Sequence, residues 1–205
     1  MRNKGLSIGQ IFKSFVYVFM QAIEAKKTDE LDIDKWRDGV WTTLVKETFC
    51  EMGKNNFKVY SSAHEGEYLL DLIWEKQDGE TGGLRLGLES EWGDIKEVEE
   101  DFYKLMYTKC ALKVLIYSSS SDSKTQEFLG RFKEILLWYD KHLEGEQYLF
   151  IDITEFEPYK IVGHSFAVTK DFLANKNTIQ INKLEEYHWS DISKNYVAKE
   201  ELVRK

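Results

Sequence analysis

Proline occurs once in the 205 residues, at Pro158, and cysteine twice, at Cys50 and Cys110. One proline leaves no Pro-rich linker and allows long regular elements. Two cysteines cannot build a disulfide framework or a four-cysteine zinc site, and both lie in apolar surroundings, so they read as reduced core thiols. Basic residues are the minority, 28 against 36 acidic, for a net charge of −8. A global basic face for nucleic acid is excluded, while a local patch is not. Long apolar runs are also missing. Ile11–Ile23 is broken by Lys13, Ser14 and Gln21, falls short of the roughly 20 residues that cross a bilayer, and precedes no small-residue cleavage site. We read it as an amphipathic or buried helix of a cytoplasmic protein with no membrane partner. Neither a GxxxxGK[ST] loop, nor a GxGxxG after a strand, nor a GxSxG elbow occurs. His64, His142, His164 and His188 show no HxxxH or HExxH spacing, which argues against a zinc hydrolase.

Hydrophobic residues make up 42% and aromatics 14%, enough for the core of a single domain. Apolar residues at helical spacing predict helices over 7–27 and 35–52, the second carrying Trp36, Val40, Trp41, Leu44, Val45 and Met52. Gly53 and the KNN after it are expected to end that helix with left-handed-tolerant residues. The period then changes to that of strands over 57–61, 67–75 and 84–92, the last two joined by the turn QDGETGG. A helix is expected over 94–109 with Ile95, Val98, Phe102, Leu105, Met106 and Lys109 on one stripe. ALKVLIY (111–117) reads as a strand covered on both faces. SSSSDS supplies an N-cap for a helix over 123–142. Strands are expected over 148–153, 161–169 and 178–182, and a polar helix from Ser190. The fold class is α/β (α+β), a mixed sheet flanked by helices in one domain over 1–205.

The placement of the acids carries the most chemistry. Asp71 interrupts the apolar strand LLDLIW, where a carboxylate is costly unless paired or bound to metal. Glu89 and Glu91, two apart on the next strand, point to one face. If the strands pair through their turn, Asp71 joins them, and three carboxylates at a sheet edge form a hard-oxygen site for Mg2+ or Mn2+. Gly87 on that face would leave room for a ligand. Glu89 and Glu91 alone fit a solvated strand face equally well; Asp71, enclosed by Leu70, Leu72, Ile73 and Trp74, sets the cluster apart.

These residues resemble the PD-(D/E)XK nuclease superfamily, with its restriction-endonuclease-like fold. The order helix, three strands, helix, strand (αβββαβ) over 35–117 is similar to that fold's core. The resemblance implies a nuclease-like core over about 35–155, with the helix 7–27 before it and an extension over 156–205. Asp71 matches the first motif acid and Glu89 the second. Glu91 stands where the motif usually has lysine, giving E-S-E for E-x-K, and Leu70 rather than proline precedes Asp71. A first-helix glutamate often reaches the metal in this family, and Glu47 is preferred for that role over Glu51. The helix after the third strand often adds a polar or basic residue; it offers Asp101 and Lys104, and Lys104 or Lys109 could replace the missing lysine. The resemblance implies Mg2+- or Mn2+-dependent hydrolysis of DNA, with Asp71, Glu89 and Glu91 at the metal and Glu91 orienting a water. A homodimer or a targeting partner protein is also implied. Two other readings stay open, a catalytically degenerate binding or regulatory subunit of the same fold and an acidic interaction or immunity-type protein. Lys96, Lys104, Lys109 and Lys113, or Lys194–Lys205, form the basic clusters, and Trp138, Trp189 and the tyrosines read as core and rim residues.

Overall fold

The computed structural model describes residues 7–27, 38–62, 70–75, 84–155, 159–176 and 179–188. The expected QDGETGG turn, the helix from Ser190, Lys194–Lys205, Trp36, His64 and Trp189 lie outside them. In chain order the elements are α1 (Ile8–Lys27), α2 (Asp38–Met52), β1 (Tyr60–Ser62), β2 (Leu72–Glu75), β3 (Leu84–Glu91), α3 (Ile95–Tyr107), β4 (Cys110–Tyr117), α4 (Asp122–Trp138), β5 (Gln147–Ile153), β6 (Lys160–Ala167), α5 (Lys170–Ala174) and β7 (Asn182–His188). All seven strands form one sheet in sequence order. The steps β3–β4 and β4–β5 are parallel, and the four others are antiparallel. This mixed sheet flanked by helices is the expected class.

Strand periodicity explains the layers. On β4, Leu112, Val114 and Ile116 face one core with α1 and α2, while Leu115 and Tyr117 face another with α3 and α4. All of β4 except Ala111 is buried, as a strand covered on both sides requires. The apolar residues of α1 are buried in the first core: Ile11, Phe12, Phe15, Phe19 and Ile23 are fully covered. No helix among the described residues is long and apolar enough to cross a membrane. Cys110 is buried and Cys50 half-buried, both as free thiols.

Several boundaries differ from expectation, each for a local reason. After α2 the chain continues in a π-helical turn, Gly53–Phe57, and the left-handed residue is Lys58 (φ 51°). The Trp74 indole donates to the Phe49 carbonyl at 3.2 Å near the end of α2. The turn delays β1 to Tyr60. A capping box starts α3: the Asp94 carboxylate accepts from the N–H groups of Lys96 and Glu97, and the Glu97 carboxylate accepts from the Asp94 N–H. That helix ends at Tyr107, so Lys109 lies beyond it, exposed rather than on the apolar stripe. Ser121 caps α4 as expected. Its other end comes four residues early, where the His142 ring sits 2.9 Å from the Leu136 carbonyl and caps it. The last strand among the described residues is β7, later than the expected 178–182. Its run NKLEEYH hides its strand character because every residue from Leu184 to His188 is only half-buried: Leu184 and Tyr187 pack on the first core, while Glu186 is held by Lys160, Lys183 and His188.

Two interior features are sensitive to single changes. Gly163 lies at the irregularity in the β6–β7 pairing, and a Cβ there would sit 2.7 Å from the Phe12 ring. Lys113, expected in a basic cluster, is instead 1% exposed, because the pleat of β4 turns it into the α3/α4 core. Its ammonium lies 3.0 Å from Glu146 Oε1 and donates to Tyr148 Oη at 3.2 Å. Burial works to raise the Glu146 carboxyl, but the His142 ring and the Lys113 ammonium overcome it, and the net shift is downward. Gly163→Ala is expected to lower stability by about 1–3 kcal/mol through overpacking against Phe12, measured by urea unfolding; an unchanged midpoint would contradict the close approach. Lys113→Met should cost about 3–5 kcal/mol by stranding a buried carboxylate. The double variant Lys113→Met/Glu146→Leu should recover more than half of that loss.

Candidate active site

Strands β3, β4 and β5 run parallel and end at one edge of the sheet, where β2 begins. In open sheets with covered faces, ligands settle at such carboxyl ends. The pairing of Leu72 with Leu88 sets Asp71 opposite Glu89, and the Asp71 N–H donates to Glu89 Oε2 at 3.3 Å. The two carboxylates then diverge. Asp71 Oδ2 accepts from the Ser90 N–H at 2.9 Å and the Ser90 hydroxyl at 2.8 Å, and Oδ1 lies 3.1 Å from Lys46 Nζ of α2. Glu89 turns under α3, where it is 3% exposed and its Oε1 has no hydrogen-bond partner. The nearest cation is Lys104, with Nζ 3.9 Å from that oxygen and 2.6 Å from Asp101 Oδ1.

This arrangement is under electrostatic stress. Burial, then the charges of Asp101 and Asp71, push the Glu89 carboxyl up to about 9; Lys104 and the Asp71 N–H oppose this only in part. Burial also raises Asp101, with Lys104 opposing it. Lys104 is raised in turn, chiefly by its hydrogen bond to Asp101. Glu89 therefore needs either a proton or a cation to lie where it does.

Of the expected site residues, the structure brings Asp71, Glu89 and Lys104 together, with Asp101 beside them. Glu91 stands near enough for its charge to raise Asp101, but its carboxylate is engaged elsewhere, and Glu47 lies apart. Glu91 folds back on its own turn, Oε1 accepting from the N–H groups of Trp92 at 2.8 Å and Gly93 at 2.7 Å. Among the described residues no group of three or more His, Cys, Asp or Glu that could hold a metal ion is found. Glu47 faces away, its side chain 59% exposed and 3.3 Å from Lys26 of α1. The space expected at Gly87 is filled: a Cβ there would meet Leu70 Cδ1 at 2.8 Å.

Lys46 and Ser90 went unnoticed in the sequence. The available signal was the pair Thr42 and Lys46, one helical turn apart: Thr42 Oγ1 accepts from the Trp92 indole at 2.9 Å while Lys46 takes Asp71. Asp152 was missed as well. It is fully buried at the end of β5, with Oδ2 accepting from Ser119 Oγ at 2.8 Å and Thr125 Oγ1 at 2.7 Å. Burial lifts it to about 6, although those hydroxyls hold it down. It ties the loop after β4 to the first turn of α4. His164 is buried too, and burial lowers it to about 4, so it carries no charge at neutral pH.

No protein-family model, no curated protein and no solved structure matches the chain.

A raised acid holds its proton more tightly in the folded than in the unfolded chain, so stability falls as pH rises between the two pKa values. For Glu89 the window runs from 4.5 to about 9. Urea unfolding of the metal-free protein should show stability declining across it, and Glu89→Gln, which needs no proton, should flatten the decline. An equally steep loss in Glu89→Gln would place its origin elsewhere.

Proposed function

We propose that the chain hydrolyses phosphodiester bonds in DNA with Mg2+ or Mn2+, and that Asp71, Glu89 and Lys104 form its reactive centre. The observation that carries this reading is the buried Glu89 Oε1, which accepts no hydrogen bond and has only the Lys104 ammonium near it at 3.9 Å, beside Asp71 at the carboxyl edge of the sheet. Support also comes from the order α2, β1, β2, β3, α3, β4, with β1–β2–β3 antiparallel and β4 parallel to β3, which is the order of the fold that the motif acids resemble.

The donor set suits a hard cation. Mg2+ is commonly held by one or two carboxylates, the remainder being waters and phosphate oxygens, so Asp71 and Glu89 suffice as its protein ligands. When bound, such an ion polarises a phosphoryl oxygen and lowers the pKa of a coordinated water. The chain's own residues do the positioning. Ser90 and Lys46 hold Asp71 from both oxygens, and the cover of α3 keeps bulk water from Glu89. Lys104 stands in for the lysine that the motif strand lacks. Asp101 aims its ammonium toward Glu89, where it can meet the charge that develops on a transferring phosphate. With a net charge of −8, grip on DNA comes from the metal, from local lysines, or from a second copy or a targeting partner. This reading has the protein working in the cytoplasm.

A second reading, a catalytically silent binding or regulatory subunit of the same fold, draws on the same contacts. Lys46 and Lys104 already offset the acids, and Glu91 is engaged by the turn.

Plasmid nicking with Mn2+ tests both. Asp71→Asn and Glu89→Gln should abolish cleavage, Lys104→Ala should slow it by about 100-fold, and Glu47→Ala should leave it unchanged. An undiminished rate in Asp71→Asn would overturn the assignment. Saturable Mn2+ binding without any cleavage would select the second reading.

A further inference from the structure

The two members of the Glu89–Lys104 pair differ in how freely they can move. Glu89 is carried by the buried middle of β3 and lies beneath α3, so its carboxylate has no route into solvent. The Lys104 side chain, by contrast, is 47% exposed, and its long flexible arm can swing. Its contact with Glu89 is also the looser of the two that it makes here. Nζ donates to Asp101 Oδ1 at 2.6 Å, whereas 3.9 Å to Glu89 Oε1 is too long for a hydrogen bond. The ammonium is tied to Asp101 and held toward Glu89 by charge alone.

Asp71 offers no comparable opening. Its Oδ2 accepts twice from Ser90, and its Oδ1 faces Lys46 at 3.1 Å. Glu89 Oε2 accepts from the Asp71 N–H, which leaves Glu89 Oε1 as the oxygen of the pair that accepts no hydrogen bond. A cation arriving at Glu89 Oε1 has to share it with the Lys104 ammonium or take its place. Sharing is unfavourable, because two positive charges on one oxygen repel. Yielding is easy for Lys104, which can pivot about Asp101 Oδ1 without giving up that hydrogen bond.

We infer that Lys104 is an internal counter-ion for Glu89 that must give way before a divalent cation can bind, an autoinhibitory contact that sets the metal affinity of the site. The exchange is ionic only: the ammonium leaves Glu89 Oε1, the carboxylate receives the metal, and no proton moves. Lys104 keeps its bond to Asp101 and is freed to meet a phosphate oxygen. It therefore acts with opposite signs, against metal binding and in favour of phosphate. The inference names a regulation of the site proposed above and rests on the metal component of that reading, not on DNA or on hydrolysis.

The test titrates the full chain with Mn2+ in the absence of nucleic acid and reads the free ion by electron paramagnetic resonance. Lys104→Met should tighten Mn2+ binding by about 10-fold, the scale expected when a charge 3.9 Å from the ligand oxygen is removed. Lys104→Arg keeps the charge and should bind within about threefold of the unaltered chain. Lys96→Met removes an exposed lysine from the first turn of α3 and should change binding by less than about threefold, that charge being screened. Where Lys104→Met loses its far-ultraviolet circular dichroism, Lys104→Gln replaces it with the same expectation. In plasmid nicking, Lys104→Met should need less Mn2+ for its half-maximal rate although its maximal rate is lower, a split that a purely structural lysine would not give. Equal or weaker Mn2+ binding by Lys104→Met overturns the exchange and leaves the metal site standing. Mn2+ binding by the variant alone upholds it, and binding by neither overturns the metal site and the exchange together. Tighter binding by Lys104→Met without any cleavage by the unaltered chain upholds the exchange and sinks hydrolysis alone.

Discussion

A carboxylate under a helix, between two other carboxylates, is costly to ionise, and Glu89 is in that position with only the Lys104 ammonium, 3.9 Å away, to oppose the cost. Its surroundings follow from the constraint. Lys104 sits one turn along α3 from Asp101 and is drawn toward both acids. The Asp71 N–H turns to Glu89 Oε2, while the Asp71 carboxylate is carried to the far side by Ser90 and Lys46. Leu70 and Leu105 close over Gly87 and seal the floor beneath. Within this group Glu89 Oε1 is left without a hydrogen-bond partner, the Lys104 ammonium standing 3.9 Å away.

The same side of the sheet holds a second group of buried charges, and the contrast is informative. Toward the other end of β4, Lys113, Glu146, His142 and Tyr148 satisfy one another within a single network. Opposite charges there allow burial without any further ligand, and the aromatic rings of Phe102, Phe150 and Phe166 pack around Tyr148. At the carboxyl edge the acids exceed the cations within reach, and burial deepens the imbalance. One end reads as structure that is complete. The other keeps an excess of acid that Lys104 and Lys46 offset only in part, and on this difference the proposed chemistry stands.

Much of the fold was legible because periodicity reports burial directly. ALKVLIY and YLFIDI announced central strands, and the strand period put Glu89 on the face away from Leu86 and Leu88. The apparent apolar stripe of α1 proved to be core. Where expectation failed, local geometry decided. Glu91 has the correct parity, but the sharp turn at Trp92–Gly93 offers it two N–H groups closer than any shared site. Glu47 and Lys46 differ by one residue, or about 100° of helix, and that step sends one to α1 and the other to Asp71. Lys113 looked like surface because lysine usually is; only the strand pleat and the position of Glu146 reveal otherwise. Trp138 read as a core or rim residue, and it is 72% exposed at the end of α4.

The most direct test is a crystal of the protein grown with Mn2+ and examined at the manganese absorption edge. The account predicts an anomalous peak between the Asp71 and Glu89 carboxylates, with the Lys104 ammonium drawn away from Glu89 Oε1. No peak at saturating Mn2+, with Lys104 still against Asp101 and Glu89, would contradict it.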